Sequence, residues 1–524
     1  MLDLAVIGSG PGGALTALVA RSLGLEVALL ERGSHPRFAI GESSTPMANI
    51  LLEGLAQRYS LPRLKPLARY GTWKRARPEL GVGPKRGFSF YFHQAGRRFE
   101  HRGDRADQLL AEASPHHDVA DVHWYRRDVD HFLVREAEAA GALFLDRVEL
   151  EGFERRAGAC RLEGTHSGRP LSLEARFVID ASGPRGALSR LLALPESSFP
   201  AFPPVQALFT HFTGVERWAD VHPERERTPY PVDDAALHHV FDGGWIWVLR
   251  FDNGITSAGA ALEDGLAADL RLADGAPAWE RLLQRLPSIR AQFADAVAVE
   301  PWRHLPRVAF RSSRVSGPGW AMLPSAAASI DPLFSTGLPL TLLGVGRIAR
   351  ALEERRDAPG FARRMSEHAH DTLQEADAAA RLVGACYRAF RRFPAFAGLA
   401  RCYLASVSFS EICHRLGEGD RAQGFLACRD PRYEAAFARC AAEAARLAAG
   451  ESEEPQALAA FERSVALAIE PLDAAGFRDG SRRNWYPVDF EALLGSCAKL
   501  GRDRESLRTF LLDQGMGPWM AHLA

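Results

Sequence analysis

Gly8-Ser9-Gly10-Pro11-Gly12-Gly13 follows the short apolar run Leu2 to Ile7 and opens the alanine-rich stretch Ala14 to Leu23, after which a second apolar run, Val27 to Leu30, ends at Glu31. This order predicts a strand, a tight turn, a helix and a second strand, with Gly8, Gly10 and Gly13 in G-x-G-x-x-G register. The first glycine permits the turn, the second lets backbone amides approach a pyrophosphate at a helix start, and the third lets helix and sheet pack closely. Glu31 stands where an acid accepts the ribose hydroxyls of an adenosine. The expected fold is therefore α/β, built on a nucleotide-binding unit.

Composition sets wide bounds around that unit. The 524 residues predict two to four domains or one large multilayered unit, and a hydrophobic content of 47% is ample for a sizeable core. The 64 basic and 65 acidic residues nearly cancel, which argues against a nucleic-acid partner or an anionic membrane surface. Seven cysteines, none in a CxxC pair, disfavour a zinc site and a disulfide framework; no metal is expected, and the expected compartment is reducing. Val6 and Ile7 already belong to the nucleotide pattern, so the first residues read as fold rather than a signal peptide, and no 18-residue apolar run suggests a membrane span. A cytoplasmic protein is the default expectation.

Several further stretches carry chemistry. Arg127-Asp128-Val129-Asp130 opens a helix-like run, and Phe177-Val178-Ile179-Asp180-Ala181-Ser182-Gly183 reads as a buried strand ending in a small-residue turn. Gly41-Glu42-Ser43-Ser44-Thr45-Pro46 precedes the amphipathic stretch Met47 to Tyr59 and has the hydroxyls and proline of a helix start. Lys85-Arg86-Gly87-Phe88-Ser89-Phe90 alternates like a strand, and on its own its lysine reads equally as a snorkelling hairpin residue. Residues 204 to 262 alternate apolar and polar positions between Gly/Asp/Asn turns, which predicts an antiparallel sheet. Within it Trp245 and Trp247 share one face, as core filler would. Asp331-Pro332-Leu333-Phe334-Ser335-Thr336-Gly337 leads into the apolar helix-like run Leu338 to Ala351, where amides at a helix start bind an anion without side-chain charge.

Together these motifs resemble the FAD-dependent aromatic hydroxylase and halogenase superfamily, and the flavin-dependent halogenases in particular, over roughly residues 1 to 350. The resemblance implies FAD as cofactor, with Arg127, Asp180, Glu42, Ser43, Ser325 and Asp331 near it in addition to Gly8, Gly10, Gly13 and Glu31. Lys85, Gly87 and Phe90 match the halogenase K-x-G-x-x-F pattern, whose lysine reaches the active site. Trp245 and Trp247 match its W-x-W, thought to bar substrate from the flavin, although the Ile-Pro that usually follows is Leu249-Arg250 here. Thr336 and Gly337 correspond to the pair that holds halide.

Three departures shape the expectation. Ser325 replaces an aspartate that bonds the ribityl chain, which implies weaker FAD retention. His93 replaces a frequent tryptophan. Phe334 replaces the glutamate of the tryptophan halogenases and joins Trp245 and Trp247 as a barrier residue, so the resemblance leans toward phenol or pyrrole substrates.

The reading is thus a glutathione-reductase-type FAD domain (residues 1–75, 105–190 and 315–355), a substrate-side β-sheet domain (76–104 and 191–314) and an α-helical C-terminal domain (356–524). The implied activity is halogenation of an electron-rich aromatic, free or carrier-bound, in secondary metabolism, from reduced FAD, O2 and chloride or bromide. With a single dinucleotide motif in the chain, a separate flavin reductase is the expected source of reduced FAD. A hydroxylating monooxygenase that uses no halide, and a silent FAD-fold binding protein, remain open beside it.

Overall fold

A computed structural model describes residues 1–354, 360–450 and 455–516. Strand Leu2–Ile7 pairs in parallel with Arg169–Asp180 on one side and Val27–Leu30 on the other; Trp320–Met322 and Leu143–Leu145 extend the parallel set. The register sets Ile7 beside both Leu30 and Asp180, so Gly8, Glu31 and Ala181 emerge together at the carboxyl edge of the sheet. Ligands of open α/β sheets bind in the crevice at that edge. Strands Val148–Arg156 and Ala159–His166 prolong this eight-stranded sheet in antiparallel fashion.

A nine-stranded sheet forms the second layer. The expected antiparallel run is present as Val205–Thr213, Thr256–Glu263, Gly244–Arg250 and Ala236–Phe241. Ala236–Phe241 then pairs in parallel with Gly87–His93. The latter pairs with Gln108–Glu112, which places residues 108–112 in the substrate-side sheet rather than in the FAD domain as expected. Lys85 does not share this sheet. It ends the strand Val82–Lys85, which among the described residues pairs only with Asp121–Trp124, and the strand breaks at Arg86 before Gly87–His93 begins.

Side chains alternate strictly across the large sheet. Phe88, Phe90, Trp245 and Trp247 face one core cluster, and Tyr91, Ile246 and Val248 face another. The first cluster is completed by helices Phe361–Ala389, Phe393–Arg415, Pro431–Ala448 and Pro455–Ile469, which lie over the sheet and confirm the helical character of the C-terminal region. That region is not purely helical, because strand Trp485–Tyr486 adds to the edge of the large sheet beside Leu110 and Ala111. The expected boundary at 355/356, and residues 517–524, lie outside the described residues. No described helix is long and apolar enough to cross a membrane.

Candidate active site

A cavity of about 850 Å³ opens at the carboxyl edge of the parallel strands. Gly8 lies at φ +96°, and a Cβ there would come within 2.5 Å of Ser182 Cα; a Cβ at Gly13 would lie 1.9 Å from the Gly8 carbonyl oxygen. Both positions therefore exclude side chains, and helix Pro11–Ser22 seats its start against the turn. A Cβ at Gly10 would instead meet only Arg126 Nη2 at 3.5 Å and Arg37 Nη2 at 3.9 Å, so two guanidinium groups flank the loop. Glu31 lines the cavity and accepts from Ser9 N (3.1 Å), Ser9 Oγ (2.8 Å) and Gly33 N (2.9 Å). Burial pushes its carboxyl up, but Arg37 and these hydrogen bonds outweigh burial and hold it below its ordinary value.

Asp180 braces the cavity without lining it. Fully buried, it accepts from Ser182 N, Ser182 Oγ and Leu188 N, and so fixes the turn whose Ala181, Ser182 and Gly183 form the wall. Glu42 and His211 pair at 2.7 Å, both buried. Ser43 lines the cavity with a buried Oγ that has no hydrogen-bond partner among the described residues. The next turn is capped as expected, with Thr45 Oγ1 accepting from Ala48 N at the start of Pro46–Arg58. Ser325 and Asp331 also line the cavity. Asp331 accepts from Leu333 N (2.9 Å) and Tyr387 Oη (2.8 Å), and burial pushes its carboxyl up to about 6.

Arg127 does not reach this cavity. Its guanidinium pairs with Glu300 at 2.9 Å and is about half exposed. The helix starts at Arg126, and a step of one residue turns a side chain by about 100°. Arg126 therefore holds the expected place: it lines the cavity, forks onto Asp130 and donates to the carbonyls of Ile40 and Gly41.

The motif before helix Gly337–Glu353 is bent sharply, with Phe334 and Ser335 at φ +66° and +57°. Two consecutive non-glycine residues in the left-handed region store strain of order 1–3 kcal/mol each, a cost that gathers at binding and catalytic turns. Thr336 and Gly337 follow, both on the cavity, where the first amides of the helix lack intrahelical acceptors. Trp245 and Trp247 line the same space; Trp245 Nε1 donates to Tyr387 Oη at 3.1 Å and Trp247 Nε1 to Ser257 Oγ at 3.3 Å. His93 points to the opposite face of the sheet, where Nε2 lies 3.0 Å from His239 Nδ1, so its exchange for tryptophan does not alter the cavity.

Lys85 is completely buried and lines neither this cavity nor a second, smaller one of about 130 Å³, but its neighbours line both. Its Nζ donates to the Ser44 carbonyl at 2.6 Å and to Ser335 Oγ at 3.4 Å, and lies 4.0 Å over the Phe88 ring. Ser335 lines the first space; Phe88 lines the second. Burial pushes the Lys85 amine down, against the opposing charge of Asp121. Phe334, also fully buried, fills the remaining partition, stacked 4.4 Å from Tyr403, whose Oη donates to the Phe334 carbonyl at 2.7 Å. It lines neither space, so its contribution is to the wall itself.

The second space is walled by Asp121, Tyr403 and Ala111, and its other side comes from Pro487, Val488 and Leu511 near the end of the described chain. Asp121, Ala111, Pro487, Val488 and Leu511 were not singled out from sequence. Arg37 and Arg126 were missed as well, although Arg126 adjoins the expected residue. The alternation Asp121-Val122-His123-Trp124 was the one local signal for Asp121, and it does not show which residue the strand would face.

The family model of FAD-dependent oxidoreductases matches residues 3–327, more than half of the chain. Over 398 residues the chain is 29% identical to the monodechloroaminopyrrolnitrin halogenase PrnC of Pseudomonas fluorescens, covering 75% of this chain and 68% of that protein. It is 30% identical over 352 residues to the tetracycline 7-halogenase of Kitasatospora aureofaciens, covering 65% of this chain and 61% of that one. A crystal structure of halogenase PltM in complex with phloroglucinol and FAD superposes with a TM-score of 0.81 at 26% identity, over 92% of this chain and 99% of that chain.

Proposed function

The chain belongs to the FAD-dependent oxidoreductases, in their flavin-dependent halogenase family, and we propose that it halogenates a small, free, electron-rich phenol. The observation that carries this reading is the position of Lys85, whose one amine contacts Ser335 of the cofactor cavity and the Phe88 ring of the second pocket. A flavin fits the first cavity by its chemistry: Gly8 and Gly13 of the turn admit no side chains, two guanidinium groups flank Gly10, and Ser43 Oγ is buried there without a partner among the described residues. Gly10 and Gly12 amides with Arg126 and Arg37 would hold its pyrophosphate, Glu31 its ribose, and Ser43, Ser325 and Asp331 the remainder. Reduced FAD and O2 supply the oxidising equivalent that converts halide to hypohalous acid.

The protein's own residues then do three things. The amides at Thr336 and Gly337 hold halide at a helix start. Trp245 and Trp247 keep the organic substrate out of the cofactor cavity. Lys85, with an amine made more available by burial, receives hypohalous acid through the partition and aims it at a ring in the second pocket. The size of that pocket and its cover by Pro487, Val488 and Leu511 favour a free small molecule over a carrier-bound one. Reduced FAD would come from a separate flavin reductase.

Purified protein with FAD, a flavin reductase, NADH, O2 and bromide, offered a panel of phenols, pyrroles and indoles, should give products with bromine isotope doublets, strongest for phenols. Products heavier by one oxygen and indifferent to bromide would overturn the reading in favour of hydroxylation.

A further inference from the structure

We propose that Asp121 is the residue that selects a hydroxylated ring: its free carboxylate oxygen accepts the hydrogen bond of the substrate's phenolic hydroxyl and takes that proton as the ring is halogenated. The inference rests on the reading of the second pocket as the substrate site. It starts from the other carboxyl groups lining that pocket, each of which is engaged. Glu112 is held by Arg86 and by Val488 N, Glu411 by Arg415 and Asp489 by Arg482.

Asp121 differs. One of its oxygens accepts from Asn49 Nδ2 at 2.7 Å, while Oδ2 is buried and has no hydrogen-bond partner among the described residues. A buried acceptor left unsatisfied costs about 1–3 kcal/mol, and more when the group is charged. The residue is 3% exposed, lines the pocket and stands directly across the strand pair from Lys85. An O–H donor on a ring in this pocket would satisfy it. Burial also pushes the Asp121 carboxyl up, toward the range in which it exchanges a proton at neutral pH.

The step balances as follows. The phenolic proton passes to Asp121 Oδ2 while an electron pair of the ring forms the carbon–halogen bond and the oxygen–halogen bond of hypohalous acid breaks. The ring C–H proton then passes through the free Lys85 amine to the departing hydroxide, which leaves as water, and the ring, aromatic again, recovers its oxygen-bound proton from Asp121. Asp121 thus raises the electron density of the ring at the moment of attack.

The test is equilibrium binding to the full-length, FAD-loaded protein. Its probes are 1,3,5-trihydroxybenzene and 1,3,5-trifluorobenzene, a ring of similar shape with no O–H donor. Asp121→Ala should weaken the triol roughly ten- to a hundredfold and leave the fluorinated ring within about twofold, with Asp121→Glu recovering part of the loss. Thermal unfolding and FAD affinity of each variant separate misfolding from lost recognition. The proposal is overturned if Asp121→Ala binds the triol as the parent does, if both rings weaken equally, or if the parent does not prefer the triol. Bromine incorporation is a separate readout, so loss of the halogenase reading and loss of this one are distinguishable.

Discussion

Lys85 and Asp121 stand opposite each other in the two-stranded pairing of Val82–Lys85 with Asp121–Trp124, one at the partition beside the cofactor cavity and the other on the wall of the smaller pocket. Both are buried, and burial moves them in opposite directions, the amine down and the carboxyl up, while the charge of each resists the shift of the other. His123 and His238, the histidines that feel the Lys85 charge, are held neutral by burial first and by Lys85 second. The pair is therefore the titrating centre of the proposed site.

Removing the carboxylate should move the pH profile in a defined direction. The Asp121 charge holds the Lys85 amine up against burial, so Asp121→Asn lets it fall further. The acid limb of kcat against pH, where free amine is gained, should shift to lower pH. A shift to higher pH contradicts the assignment.

Stability gives a second sign. A lysine with a depressed folded-state value binds its proton less tightly when native, so unfolding takes up a proton between that value and the ordinary 10.5. Its contribution to stability rises with pH across that window; below the window both states are protonated and the burial cost is complete. Lys85→Met should flatten this rise. It should also keep neutral-pH stability within about 2 kcal/mol, since the lost bond to the Ser44 carbonyl is offset by relief of a buried amine. Urea unfolding at several pH values measures both.

Arg126 and Arg127 should behave unlike each other. Arg126→Ala leaves the fully buried Asp130 without its main partner, a loss of about 3–5 kcal/mol, and should weaken FAD binding. Arg127→Ala breaks only a half-exposed ion pair with Glu300 and should cost under about 1 kcal/mol. Chemical denaturation and flavin fluorescence titration separate the two.

Phe334→Ala should cost about 3–5 kcal/mol, because a completely buried ring stacked on Tyr403 is replaced by a void. It should also join the two spaces and let hypohalous acid escape. The expected readout is a fall in halogenated product per NADH consumed, with halogenation of an added scavenger in its place.

The parts legible in the sequence are those whose signal is local. The glycine turn, Glu31 at a strand end, the tryptophans on one face and the cap at Thr45 each depend on a few consecutive residues, and each takes its expected place in the fold. Arg126 was mistaken for its neighbour because one residue of helix phase decides which side chain faces inward; the buried stripe Val129, Leu133 and Ala137 puts Arg126, not Arg127, on the inward face. The strand Trp485–Tyr486, the pairing of Gln108–Glu112 and the cover over the smaller pocket arise from contacts between distant parts of the chain. Asp121 was missed for a related reason: its meaning depends on Asn49, Lys85 and an unpartnered oxygen, none of which a strand-like run of four residues reveals.

The central claim is that Lys85 delivers halogen to the ring, and the most direct measurement is bromine incorporation into a phenol by Lys85→Met beside the parent, at matched FAD loading and confirmed folding. The account predicts bromine doublets from the parent and none from the variant. Equal doublets from both, at the same ring position, would contradict it.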